Sequence, residues 1–337
     1  GMISDKVGSK KVINISFVIA GIGMIGRVFA NSYMPFFLCM ALTGFSNMFV
    51  NINASKITAS WFEQEKLGIL MGIFAFCGQL PGAFATATTA VLFDSRTSAF
   101  IVSAIFCISV FVLWLLFVKD KPEDTMEERE KIDQENQPSI GDSLKVVLSN
   151  KGIWLVSICI MMILGSTVTL STFMPVALQT MYGIDLKVCG TIASMLTLGN
   201  CIGSITGPIV FSKIKNVKVF VSGAAVLSFA GIIMCWRFPS IFVLHILVLY
   251  TGIVLGASMP IFLSAPVLLE GLGTKYAGSA AGVISTLQLL GAVLIPTYIL
   301  TPIAGENYSL LFMLASICMV IMFLCGLLLP QFGNNQK

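Results

Sequence analysis

The chain has 337 residues, 56% of them hydrophobic and 11% charged, with 20 Lys and Arg against 16 Asp and Glu for a formal net charge of +4. Soluble domains carry about 25% charged residues, so this composition, with a mean hydropathy of +0.93, excludes water as the main solvent. The nine cysteines lie in or beside apolar stretches with neither metal-ligand spacing nor paired clustering, and read as small core residues.

A bilayer core of about 30 Å takes roughly 20 helical residues to cross. Apolar runs of that order fall near 12–30, 35–60, 67–93, 97–118, 152–181, 187–211, 219–236, 240–266, 276–302 and 308–330. Backbone groups in lipid must be satisfied within their own segment, so these runs predict helices. Barrel strands would alternate strictly between apolar and polar residues, and these runs do not. The expected fold is an all-α polytopic membrane protein with ten spans.

Between the fourth and fifth spans lies the one extended polar stretch, residues 119–150, broken by Pro122, Pro138 and Gly141. It divides the chain into 1–118, a helical bundle of four spans, and 151–337, a bundle of six. Leu144, Val146, Val147 and Leu148 predict a short helix on the membrane surface within this linker. Fifteen basic residues fall in the loops on the linker's side, and only Arg96, Lys187 and Arg237 on the other. The positive-inside rule then places the linker and both ends of the chain in the cytoplasm, and the expected location is the plasma membrane.

The chain opens on a charged, glycine-spaced turn carrying Gly1, Asp5, Lys6, Gly8, Lys10 and Lys11, and runs straight into the first span. This spacing resembles the signature between the second and third helices of the major facilitator superfamily. Trp61 and Phe62, followed by Glu65, Lys66, Gly68 and Gly72, resemble that family's loop between its fourth and fifth helices. A fainter second copy of the first signature keeps Lys213 and Lys218 under Lys6 and Lys11 but lacks the acid and the glycine. Gly278 and Gly282 fall under Gly68 and Gly72 at nearly the same offset. The resemblance implies twelve helices in two pseudo-symmetric bundles, of which this chain carries the third to the twelfth. It further implies a gating loop of Asp5, Lys6, Gly8, Lys10 and Lys11, in which Asp5 caps the helix beginning near Ala277 and latches the bundles together. The alternative is an orientation signal and a tight turn only. No counterpart of the arginine-bearing signature of drug–proton antiporters occurs near Gly44.

Ionisable residues inside a span cost about 2.5–3.5 kcal/mol on insertion scales, so each needs a reason. Arg27 lies in the first span, Lys56 in the second and His245, the chain's only histidine, in the eighth; no Asp or Glu lies deep in any. A cationic or neutral interior attracts an anion and repels a cation. The substrate-binding candidates are therefore Lys56 with its neighbours Asn51 and Asn53, then Arg27, His245, Gln79 and Gln288. Lys56 and Arg27 each face a cavity or snorkel to a surface, and His245 either relays a proton or is structural.

Gly199, Gly203 and Gly207 share one helix face at a spacing of four, as do Gly68 with Gly72 and Gly278 with Gly282, and predict close helix packing. Pro81, Pro175, Pro260 and Pro296 predict interruptions within spans. Together these features imply a secondary transporter that moves a small solute, an organic or inorganic anion, by alternating access. A non-transporting sensor of the same fold and a drug or metabolite efflux antiporter are the alternatives. An embedded enzyme would need paired acids, a nucleophile with its base, or a metal cluster in the bilayer, and no nucleotide-binding loop occurs. The expected partners are the substrate, the lipid bilayer and a proton or counter-solute; no metal, cofactor or nucleic acid is expected, and the protein is expected to be monomeric.

Overall fold

The structure, a computed structural model, describes residues 9–61, 67–92, 95–118, 140–238, 240–269 and 272–331. The described secondary structure is helical throughout: α1 (Ser9–Phe29), α2 (Tyr33–Trp61), α3 (Leu67–Leu92), α4 (Arg96–Phe117), α5 (Ile140–Ser149), α6 (Lys151–Tyr182), α7 (Leu186–Ile214), α8 (Val217–Met234), α9 (Ile241–Leu268) and α10 (Gly273–Leu294). A π-helical segment (Ile295–Leu300), a single turn α11 (Thr301–Ala304) and α12 (Tyr308–Leu328) complete it. Nine of the described segments are long and apolar enough to cross a membrane. The 26-residue α3 is also strongly apolar and spans the run read from the sequence near 67–93.

Polar residues mark where these helices stop. Asn150 accepts from the backbone N–H groups of Gly152 and Ile153 to start α6, Asp185 from Lys187 to start α7, Asn216 from Val219 to start α8 and Asn307 from Leu310 to start α12. Each satisfies donors that a helix N-terminus leaves open. Gly183, at φ +66°, ends α6 and donates to the Gln179 carbonyl, the left-handed cap that glycine adopts without strain. Pro81, Pro175 and Pro260 lie inside continuous α-helix. Around Pro296 the ladder changes to π-helical, and the Pro296 carbonyl accepts from both the Thr301 backbone N–H and the Thr301 hydroxyl, the latter at 2.6 Å.

By their contacts the residues form two units: residues 1–67 with 89–137, and residues 68–88 with 138–337. Grouping by contact thus takes the middle of α3 into the second unit, whereas division along the sequence leaves it in the first. In the first unit α1 packs on α2 and α4. The Trp114 indole N–H donates to Asn14 at 3.0 Å, Phe17 stacks on Phe111, and the Ser46 hydroxyl donates to the Ser16 carbonyl at 2.7 Å. In the second unit α7 packs on α9, α8 on α12, and α6 on both α10 and α12. The short α5 lies on α6 and α10 through the fully buried Val147. Large apolar side chains still point outward: Phe29, Leu116 and Phe242 are 75%, 72% and 74% exposed. Such surfaces suit lipid, since a soluble monomer rarely leaves broad apolar patches bare.

Candidate functional site

The first unit holds a guanidinium inside a span. Arg27 lies in the last turn of α1, where its Nη2 donates to the Thr43 hydroxyl of α2. The Thr43 hydroxyl donates in turn to the Met40 carbonyl at 2.8 Å. Small residues bring the two helices together here: a Cβ added to Gly23 would come within 2.7 Å of the Thr43 methyl, and one added to Gly26 within 2.6 Å of the Cys39 sulfur. The Arg27 Nε is buried and has no hydrogen-bond partner among the described residues. A guanidinium has five N–H donors and no acceptor, so a buried one left without a partner is suited to an acceptor from a ligand.

The other candidates fall out unevenly. Asn51 on α2 donates from Nδ2 to the backbone carbonyl of Asn47 at 3.1 Å and to its side-chain oxygen at 3.3 Å. Asn53 and Lys56 lie on the same helix, and their side chains are outside the described residues, as are Asp5, Lys6 and Gly8. Lys10 and Lys11 form the first turn of α1, half-buried and exposed respectively. None of the nine candidate spans contains Asp or Glu.

In the second unit Gln79 on α3 and Gln288 on α10 are half-buried. His245 lies in the second turn of α9, with Nδ1 2.8 Å from the Ile241 carbonyl and Nε2 3.3 Å from the Thr191 hydroxyl of α7. Sequence reading did not single out Thr191, because 54 residues separate it from its partner. An apolar cleft of about 150 Å³ between α8 and α12, lined by Phe229, Met319 and Phe323 among others, presents no polar side chain to a solute.

The glycines likewise separate. A Cβ on Gly199 would clash with the Leu249 carbonyl, one on Gly203 with the Ile253 carbonyl, and one on Gly207 with the Ala257 carbonyl. The approach is mutual, since Cβ atoms on Gly252 and Gly256 of α9 would clash with the Leu196 and Asn200 carbonyls. Gly252 and Gly256 share the spacing of four, which marks a close-packing face on α9 but does not by itself name α7 as the partner. Gly72 lies 3.2 Å, by the same measure, from the Ser204 carbonyl. Gly278 and Gly282 have open space within 4 Å, and no contact of Gly68 is described.

The sequence model of the Major Facilitator Superfamily matches residues 1–296. The galacturonate transporter of Dickeya chrysanthemi is 23% identical over 248 residues, covering 69% of this chain and 72% of that protein. The membrane sensor protein UhpC of Salmonella typhimurium is 22% identical over 315 residues, covering 87% and 70%, and the probable sulfoacetate transporter SauU of Cupriavidus necator is 22% identical over 308 residues, covering 85% and 70%. Among solved structures, the fucose:proton symporter FucP of E. coli superposes with a TM-score of 0.69 over 98% of this chain and 86% of that one. At 12% identity this is a likeness of fold alone.

Proposed function

We infer that this chain, which belongs to the Major Facilitator Superfamily, is a secondary transporter that carries a small organic anion by alternating access. The observation that carries the reading is Arg27: a guanidinium in a span, held by Thr43, with a buried Nε that no described protein group accepts from. None of the nine candidate spans among the described residues supplies a carboxylate to neutralise it. A carboxylate or sulfonate brought by the solute completes such a group, because hydrogen bonds between a guanidinium and an oxyanion are charge-assisted and strong. Galacturonate and sulfoacetate, named for two relatives, are both small organic anions, which supports this class. Lys56 on α2 is proposed as a second positive charge along the path, with Asn51 and Asn53 beside it as hydrogen-bonding partners. The turn holding Asp5, Lys6, Gly8, Lys10 and Lys11 is proposed as the cytoplasmic gate.

Ligand-dependent thermal stabilisation of the purified chain tests the class. Galacturonate or sulfoacetate is expected to raise Tm, and galactose, with the galacturonate ring but no carboxylate, is not. A rise with galactose and none with either anion would overturn the anion reading. The sensor relative favours a second reading, in which the same anion binds but is not carried; net uptake into vesicles separates the two.

A further inference from the structure

Among the described residues, one residue other than glycine has a positive φ: Lys215, at +54°, in the turn between α7 and α8. It ends α7 in the left-handed conformation, and its backbone N–H donates to the Phe211 carbonyl at 2.8 Å. Glycine is the usual residue at such a cap, because a Cβ is strained there. In the fainter second copy of the charged turn, Lys215 falls under Gly8 at the same offset that sets Lys213 under Lys6 and Lys218 under Lys11. A lysine thus stands where a glycine would close the turn without strain.

The closure itself does not use the lysine side chain. Gln331, just beyond α12, donates from Nε2 to the Lys215 carbonyl at 2.7 Å and accepts at Oε1 from the Val217 N–H at 3.3 Å. A carbonyl only accepts and an N–H only donates, so this amide has one possible orientation. Asn216 accepts from the Val219 N–H within the same turn. Backbone and amide groups therefore fix the turn, and what Lys215 adds to it is a charge. Residues 211–220 contain three lysines and no acid, and Lys213, Lys215 and Lys218 are all exposed.

The turn joins two apolar spans, so its side chains emerge at the level of the lipid headgroups. Ile214 and Val219, interleaved with the lysines, are exposed as well, and such a mixture suits the boundary between acyl chains and headgroups. Three like charges held within six residues repel one another, and an anion seated among them relieves the repulsion. An ammonium is a compact point charge with three donors, suited to phosphate oxygens. We propose that the α7–α8 turn binds the headgroup of an anionic phospholipid, with Lys213, Lys215 and Lys218 as its cations and Gln331 as the residue that positions them. A zwitterionic lipid brings its own cation and gains less from the same three charges.

The probe is phosphatidylglycerol, mixed in rising proportion into phosphatidylcholine nanodiscs that hold the full chain, with Tm as the readout. Tm of the wild type is expected to rise with the phosphatidylglycerol fraction, and the rise to shrink at high salt. Lys215→Gly keeps a turn that glycine closes without strain and removes one charge. Its Tm in pure phosphatidylcholine is expected to hold or increase, while half the effect of phosphatidylglycerol needs about fivefold more of that lipid, the worth of one lysine at an anionic surface. Gln331→Ala, with every lysine in place, is expected to weaken the effect too. Replacing all three lysines with Gln is expected to abolish it, and Lys187→Gln, at the opposite end of α7, to leave it unchanged. An equal rise in the wild type and the triple variant, or an equal loss on Lys187→Gln, would overturn the proposal. Inorganic phosphate added to phosphatidylcholine nanodiscs is expected to leave Tm unchanged; stabilisation by phosphate alone would overturn the lipid assignment in favour of a soluble anion. No carried solute enters the measurement, so its outcome is independent of what the chain transports.

Discussion

Gly207 of α7 lies so close to Ala257 of α9 that a Cβ added to the glycine would come within 2.6 Å of the Ala257 Cα. Two turns away Gly199 meets Gly252 in the same manner, at 2.8 Å from a built Cβ to the Cα. In lipid, helices gain little from apolar burial against one another, and close packing of small residues takes over as the source of association. The seam therefore holds the centre of the second unit.

Substituting Gly203 with Ala is expected to destabilise the chain by about 1–3 kcal/mol, the usual range for overpacking a tight contact, because the new methyl meets the Ile253 carbonyl and Ala257 N. Gly282→Ala, where nothing lies within 4 Å, is expected to be neutral or slightly stabilising, since Gly is about 1 kcal/mol worse than Ala inside a helix. Apparent Tm in detergent for the two variants measures the contrast. Equal losses would contradict the seam.

Arg27→Met removes the charge and the donors while keeping a flexible apolar chain of similar length. Affinity for organic anions is expected to fall roughly 10- to 100-fold, the equivalent of about 1.5–3 kcal/mol for a hydrogen bond to a charged group. Thr43→Val, which leaves the charge and removes only its anchor, should cost less. Titration of Tm against galacturonate gives both values, and unchanged affinity in Arg27→Met would remove this residue from the binding role.

Lys56→Ala is expected to abolish uptake while the protein still reaches the membrane, if the second positive charge lies on the substrate path. Vesicle uptake alongside an immunoblot of the membrane fraction provides the check. Full transport by the variant would leave Lys56 as a snorkelling lysine.

Cys235, just beyond α8, is fully buried, and its Sγ lies 3.1 Å from the Ile232 carbonyl. Burial pushes the thiol up to about 12, which favours the neutral form and withholds the reactive thiolate. Raising the pH toward the usual thiol range therefore does little, and reactivity appears only well above it. At about pH 8 Cys235 should stay unlabelled by maleimide in the native protein and become labelled after denaturation, read by peptide mass spectrometry. Native labelling would show this end of the unit to be open.

The helices were legible because twenty-residue apolar runs in a chain with 11% charge leave no other solution in lipid. Turn residues such as Asn150, Asp185 and Gly183 then fix their ends. Pairings between helices were less legible. Gly199, Gly203 and Gly207 mark a face of α7 by spacing alone, yet Gly278 and Gly282, at the same spacing, look onto open space; periodicity names a face and not what lies opposite. Arg27 stood out as a charge in an apolar run, but its partner Thr43, 16 residues on, depends on how two helices are rotated against each other. The same holds for Thr191 and His245, and for Asn14 and Trp114, 100 residues apart. At Pro296 the ladder turns π-helical, with the Pro296 carbonyl taking both the Thr301 N–H and its hydroxyl, where the other span prolines stay within α-helix, and the spacing of prolines alone does not separate these outcomes.

The most direct test of the anion carrier is uptake by the purified chain in sealed proteoliposomes, comparing radiolabelled galacturonate with galactose under the same imposed ion gradients. Saturable accumulation of galacturonate is expected, inhibited by sulfoacetate and lost in Arg27→Met, with galactose no faster than in empty liposomes. Accumulation of galactose without galacturonate, or galacturonate uptake that Arg27→Met leaves unchanged, would contradict it.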